Sequence, residues 1–155
     1  MSLAATRATA SRSTETWLPD HGESFGDHEV KNHGSSLYQS QIHIPLVFSA
    51  GASLPALQTN MPVSLADIAP TLLDLVGVAV PETMDGISLA PLFVGQDPVD
   101  RPFVPGARLR YIHQATHPKI YSLVTPERRK LVRKWKRYTQ EFDLAKDPCE
   151  STALA

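Results

Sequence analysis

Residues 20 to 46 read Asp20-His21-Gly22-Glu23-Ser24-Phe25-Gly26-Asp27-His28-Glu29-Val30-Lys31-Asn32-His33-Gly34, then Ser35-Ser36-Leu37-Tyr38-Gln39-Ser40-Gln41-Ile42-His43-Ile44-Pro45-Leu46. A carboxylate and an imidazole stand side by side at the start, and Gly22 lets the backbone turn directly after them. Asp and His make a hard-oxygen and borderline-nitrogen donor pair, suited to a divalent cation. Twelve residues after His21, His33-Gly34 repeats the His-Gly pattern. The intervening residues, Glu23 to Gly34, are polar and predict a loop. Ser35 or Ser36 is placed to cap a short helix running through Gln41. The run Ile42 to Phe48 is almost unbroken in apolar character and long enough for a buried parallel strand.

Outward from this stretch the elements fall on both sides. Thr16-Trp17-Leu18 reads as the end of a strand that delivers Asp20 to the carboxyl edge of a sheet, where open α/β folds keep their sites. Met1 to Thr14 is rich in Ala, Ser, Thr and Arg and has no acid, so residues 1–15 read as a disordered or extraneous leader. Downstream, Asp67 is a good N-cap and Pro70 falls in a first turn, where its missing N–H costs little. Ile68, Leu72, Leu75 and Val76 share one helical face, and Gly77 supplies a left-handed stop. Pro81 to Gly106 is proline-rich and predicts irregular chain. From Arg108 the apolar pattern becomes short and alternating, as in Lys119 to Val124, and predicts a small antiparallel sheet. The expected division is a leader over 1–15, a catalytic-type portion over 16–106 and an antiparallel subdomain over 107–155.

Composition excludes several classes. The 155 residues carry a formal net charge of −1, which gives no electrostatic case for nucleic-acid or membrane binding by the chain as a whole. One cysteine rules out an intramolecular disulfide and a thiolate metal site. No run approaches the roughly 20 apolar residues that span a bilayer. The basic cluster Arg128-Arg129-Lys130, Arg133-Lys134 and Lys136-Arg137, with Trp135 and Tyr138 among it, reads first as a solvated face. A polyanion or sulfated-glycan contact ranks second there, and nucleic acid last.

Three later segments join the Asp-His-Gly stretch in a consistent order. They are Val63 to Gly77, then Asp85-Gly86-Ile87-Ser88-Leu89 followed by Pro91-Leu92, then Glu141-Phe142-Asp143-Leu144-Ala145-Lys146-Asp147-Pro148 with Glu150. Together with residues 20–46 they resemble the C-terminal portion of the sulfatase family, in the alkaline phosphatase superfamily. The resemblance implies an α/β fold: part of an alkaline-phosphatase-like α/β sandwich, followed by a small C-terminal antiparallel sheet.

It also implies metal-dependent hydrolysis of sulfate esters, with a phosphonate or phosphate ester hydrolase or a phosphoethanolamine transferase of the same superfamily as the alternative. Asp20 and His21 would be metal ligands, for calcium first, with zinc, manganese or magnesium as other possibilities. His33 would be the catalytic and substrate-binding residue, donating to a sulfuryl or phosphoryl oxygen. The substrate would be a small-molecule or glycan sulfate ester. Glu23 is placed to accept from His21; His28 reads as a loop residue and His43 as a core or edge histidine.

The family's nucleophile lies in a C-x-P-x-R or S-x-P-x-R segment, and none occurs here. Cys149 is followed by Glu150 and lacks the Pro and Arg. The expectation is therefore a sulfatase-like fragment that is inactive alone, with open strand edges. It would hold calcium only weakly, and zinc if the loop folds His33 back toward His21. The remaining alternative is a non-catalytic, anion-binding remnant.

Overall fold

The computed structural model describes residues 2–5, 14–50, 53–97, 104–105, 120–134 and 138–154. The expectations for residues 6–13, for 108–119 and for Trp135, Lys136 and Arg137 lie outside them. The chain divides into two compact units, one of Met1–Leu18 with Pro45–Arg101 and one of Pro19–Ile44 with Pro102–Ala155. This differs from the division expected at 106, because the Asp-His-Gly segment groups with the C-terminal sheet.

The first unit is built on a four-stranded mixed sheet. Its strands are β1 (Ser2–Ala5), β2 (Glu15–Trp17), β5 (Pro45–Ser49) and β6 (Leu57–Thr59), in the order β2-β5-β1-β6. β5 runs parallel to β1 with Leu46 opposite Leu3, and antiparallel to β2 with Phe48 opposite Thr16. The parallel strand expected over 42–48 thus begins three residues later, because Ile42 ends a helical turn and Pro45 opens the strand. Two further expectations are corrected. β5 has hydrogen-bonded partners on both sides rather than an open edge, and Ser2–Ala5, inside the stretch read as a leader, is one of them.

Leu46 and Phe48, the inward-facing residues of β5, lie in a core with Leu54, Val63, Leu89 and Phe93. Phe48 and Phe93 meet edge-to-face with centroids 5.9 Å apart, a geometry aromatic quadrupoles favour. Helix α2 (Ile68–Leu75) lays Ile68, Leu72 and Leu75 against this core. Val76 does not join them: it is 63% exposed, because the chain has left helical geometry at that residue and Gly77 turns left-handed at φ +73°.

Asp67 is the N-cap residue of α2, as expected, but its side chain makes no cap bond to that helix. A 3-10 turn, Leu65–Asp67, precedes the helix, Ser64 is its N-cap, and Asp67 closes a capping box. Asp67 is fully buried; its carboxylate accepts from Ser64 N at 2.7 Å and from Ile87 N at 3.0 Å. Thr71 Oγ donates to Asp67 O and accepts from Leu89 N at 2.9 Å. These bonds explain the Asp-Gly-x-Ser-Leu segment: its backbone is stitched to the start of α2. Gly86 is required there, because a Cβ would collide with the Ala66 carbonyl. Asp67→Ala leaves two partly buried N–H groups without this acceptor and is expected to cost about 2–4 kcal/mol, at roughly 1–2 kcal/mol for each group, the low side of the range for buried ones. Urea unfolding followed by circular dichroism measures it.

The second unit carries a four-stranded antiparallel sheet in the order β10-β9-β8-β7, formed by β7 (Val104–Pro105), β8 (Ile120–Val124), β9 (Arg129–Lys134) and β10 (Tyr138–Asp143). A two-stranded ladder pairs β3 (Ser24–Phe25) with β4 (Lys31–Asn32), and α1 (Gln39–Ile42) follows. α1 is shorter than expected and has no side-chain cap; Tyr38 is its N-cap residue. Val132, Phe142 and Leu144 form the core, with Tyr38, Ile120 and Val124 packed against it.

Alternation along β9 sorts the basic cluster. Lys130 and Val132 face inward, whereas Arg129 and Arg133 do not. Lys130 is wholly buried, which corrects its reading as part of a solvated face. Arg129 is tied to Glu141 at 2.6 Å and Asp143 at 3.3 Å, so its charge is already answered within the sheet.

The closing segment is fixed by local bonds. Asp143 accepts from Ala145 N and Lys146 N, Asp147 accepts from Thr152 N at 2.8 Å, and Leu154 N returns to Glu141 O at 2.7 Å. The bond from Thr152 N comes first among the contacts that hold the Asp147 carboxyl below its usual range.

Candidate metal and substrate site

The segment after Pro19 is held by Gln41. This side chain is 3% exposed; its amide nitrogen donates to Ser24 Oγ and to Asn32 O, both at 3.0 Å, and its oxygen accepts from Ser36 N. Its backbone carbonyl takes Gly22 N–H at 2.8 Å, and Ser24 Oγ also meets Ser40 Oγ at 2.8 Å. One residue of α1 thus clamps both arms of the β3–β4 ladder. Gly22 has no room for a side chain: a Cβ would strike the Ser40 carbonyl.

α1 is itself anchored from below. Lys130 and Glu150 form an ion pair with both side chains fully buried; Lys130 Nζ also donates to Leu37 O, and Glu150 accepts from Gln39 N at 2.6 Å. Desolvation pulls the Lys130 ammonium below its ordinary range, and the Glu150 carboxylate opposes that pull. The buried pair therefore holds the two residues that flank Tyr38, directly ahead of the turn that carries Gln41.

The clamp brings three donor groups together. His21, Glu23 and His33 offer ligand atoms that all lie within 4.8 Å of one another. His33 Nδ1–H donates to Glu23 Oε2 at 2.9 Å, and the two imidazoles stack with centroids 3.9 Å apart and planes 24° from parallel. Among the sequence-derived site residues, His21 and His33 are thus in contact. Asp20 lies at their edge: its Oδ1 accepts from His21 N at 3.1 Å and is 3.7 Å from His21 Nε2.

His21 Nδ1–H donates to Gly22 O at 2.9 Å. That bond fixes the tautomer and leaves the Nε2 lone pair free, as in metal-binding histidines oriented by a backbone carbonyl. Asp20 Oδ1 and His21 Nε2, at their observed separation, suit one divalent cation bonded at about 2.0–2.6 Å. The donor chemistry therefore fits the implied ion.

Several residues take other places. Glu23 partners His33 rather than His21, the partner expected of it. His28 stacks on Tyr38 with centroids 3.8 Å apart and donates to Cys149 O at 3.0 Å, so it is a packing residue of the second unit. Cys149 is exposed. His43 follows α1 as its C-cap and is exposed, not buried in a strand.

A unit built on a mixed sheet and a unit with an antiparallel sheet are features of the sulfatase class within the alkaline-phosphatase-like fold. The sequence matches the family of the C-terminal region of N-sulphoglucosamine sulphohydrolase over residues 26–155, and the chain belongs to that family. It is 31% identical to arylsulfatase K of Mus musculus over 152 residues, covering 90% of this chain and 26% of that protein.

Among solved structures, it is similar to a 2-O GAG sulfatase with TM-score 0.76 and 27% identity, over 92% of this chain and 31% of that one. It is also similar to the phosphonate monoester hydrolase of Agrobacterium radiobacter with TM-score 0.72 and 28% identity, over 89% and 30%. The chain spans about a quarter to a third of the length of these relatives. Among the described residues no helix is long and apolar enough to cross a membrane.

Proposed function

We propose that this chain carries the metal-binding edge and a substrate-contacting histidine of a sulfate-ester hydrolase, with Asp20 and His21 on the cation and His33 on the ester. The observation that supports this best is the juxtaposition of His21 and His33, twelve residues apart in sequence and 3.9 Å apart in space. When bound, a divalent cation supplies electrostatic stabilisation of charge on the ester oxygens. Asp20 supplies an anionic oxygen, and His21 supplies Nε2, its ring held by the Gly22 carbonyl. Glu23 accepts from His33 Nδ1–H and fixes the ring, so that in the imidazolium form Nε2–H is the donor left for a sulfuryl oxygen or a leaving oxygen.

The likeness to an arylsulfatase and to a 2-O GAG sulfatase supports a sulfate ester on an aryl or sugar leaving group as the substrate class. A phosphonate or phosphate ester remains the second reading, favoured by the likeness to the phosphonate monoester hydrolase.

The chain alone is expected not to turn over 4-nitrophenyl sulfate, since losing a nucleophile typically removes several orders of magnitude in rate. The test of the full proposal is the coding sequence upstream. An in-frame C/S-x-P-x-R segment, joined to this chain, should give a sulfatase whose kcat/KM falls roughly a hundredfold or more in Asp20→Ala. A joined protein that hydrolyses the ester equally well without Asp20 would refute the assignment. An upstream region with no such segment would leave the anion-binding reading.

A further inference from the structure

We propose that His21, Glu23 and His33 form a second cation site, selective for a borderline transition metal such as zinc, which shares His21 with the Asp20–His21 edge and so competes with a hard cation bound there. Two imidazoles and one carboxylate are a donor set that zinc accepts with a fourth position open. Calcium prefers six to eight oxygens, which this trio does not offer. The three donor atoms already lie within 4.8 Å of one another.

The Glu23 carboxylate points to the same conclusion. Its Oε2 accepts from His33 Nδ1–H, while Oε1 is shielded from solvent and has no hydrogen-bond partner among the described residues. A shielded carboxylate oxygen without a donor is costly, and a cation relieves that cost. The arms are also preorganised. Gln41 holds Ser24 and Asn32, the residues next to Glu23 and His33, so the ligands are presented by a braced ladder. His21 Nδ1 is committed to Gly22 O, which leaves Nε2 as the ligand atom for either ion.

Zinc on His33 Nδ1 takes the place of the proton now shared with Glu23. In the neutral ring that proton moves to Nε2 of the same imidazole; from an imidazolium it passes to solvent. Either way Nε2–H remains to donate toward an ester oxygen, but the ring is then oriented by zinc in place of the Glu23 hydrogen bond. Because both ions need His21, each weakens the other, and linkage requires the two weakening factors to be equal. In this respect the consequence rests on the proposed function, whereas the site itself does not.

The experiment uses the chain as it stands, with cobalt(II) chloride as the spectroscopic probe and zinc chloride as competitor. Wild type is compared with Glu23→Gln, His33→Asn and Asp20→Ala, with circular dichroism as the control for folding. Wild type should develop the intense visible bands of four-coordinate cobalt, and zinc should abolish them. Affinity should fall roughly tenfold or more in Glu23→Gln, a near-isosteric change, and in His33→Asn, but stay within about twofold in Asp20→Ala. Calcium added to the zinc form should bind more weakly than to the free chain.

Equal affinity in all four proteins would overturn the site, since zinc would then sit on other histidines. Loss only in Asp20→Ala would also overturn it, while leaving the Asp20–His21 assignment standing. Calcium binding lost in Asp20→Ala beside an intact zinc site separates failure of one proposal from failure of the other.

Discussion

Lys130→Ala lowers the unfolding free energy by about 3–5 kcal/mol, because it strands the Glu150 carboxylate without its cation in a fully buried setting. The expected result is local as well as global. Leu37 O loses its donor and the turn that leads into α1 loosens, so amide exchange should accelerate at Tyr38 to Ile42 and along β9. Glu150→Ala should show a loss of the same order, since Lys130 then keeps only the Leu37 carbonyl and no counter-charge, and Gln39 N loses its acceptor. The double replacement Lys130→Met with Glu150→Leu should recover much of the loss, as buried pairs often exchange for apolar residues at little cost. Urea denaturation of the four proteins measures the two losses and the recovery. A Lys130→Ala protein as stable as wild type would mean that the pair is not buried in solution.

Gly22→Ala is the second large effect. The new Cβ collides with the Ser40 backbone carbonyl, which cannot move aside as a side chain can. The chain has to withdraw, and the bond from Gly22 N to Gln41 O is lost with it. Overpacking at roughly 1–3 kcal/mol and a lost hydrogen bond at roughly 1 kcal/mol give an expected cost of about 2–4 kcal/mol. Gly34→Ala is the contrast. It has open space around it and only a positive φ of 80°, so left-handed strain of about 1–2 kcal/mol is its whole penalty. Thermal unfolding with both variants side by side should separate steric from conformational cost, and only Gly22→Ala should also disturb His21.

What could be read from the chain follows the range of the interactions. The contact of His21 with His33 was anticipated as a candidate site because donor type and spacing are local properties. The core face of α2 was legible for the same reason, since Ile68, Leu72 and Leu75 follow helical periodicity. Val76 failed because periodicity does not say where the helix ends. Asp67 was seen as a cap, but its bond to Ile87 spans twenty residues, so its role in docking the Asp-Gly-x-Ser-Leu segment was hidden.

The Glu23–His33 bond was missed because Glu23 sits nearer to His21 in sequence; only the β3–β4 register brings it to His33. Lys130 was misread within a basic run, although its parity with Val132 on an alternating strand was a usable signal. The pairing of β5 with Ser2–Ala5 had no signal at all, being a contact across more than forty residues.

The central claim is that Asp20 and His21 share one divalent cation beside His33, and calcium followed by amide NMR tests it most directly. Titrating calcium chloride into the free chain should shift Asp20, His21 and Gly22 in fast exchange, with Kd about 1 mM or weaker because two donors make an incomplete shell. The shifts should vanish in Asp20→Ala and persist in Glu23→Gln. Shifts centred on Asp143 and Asp147 instead, or an affinity that survives Asp20→Ala, would contradict the account.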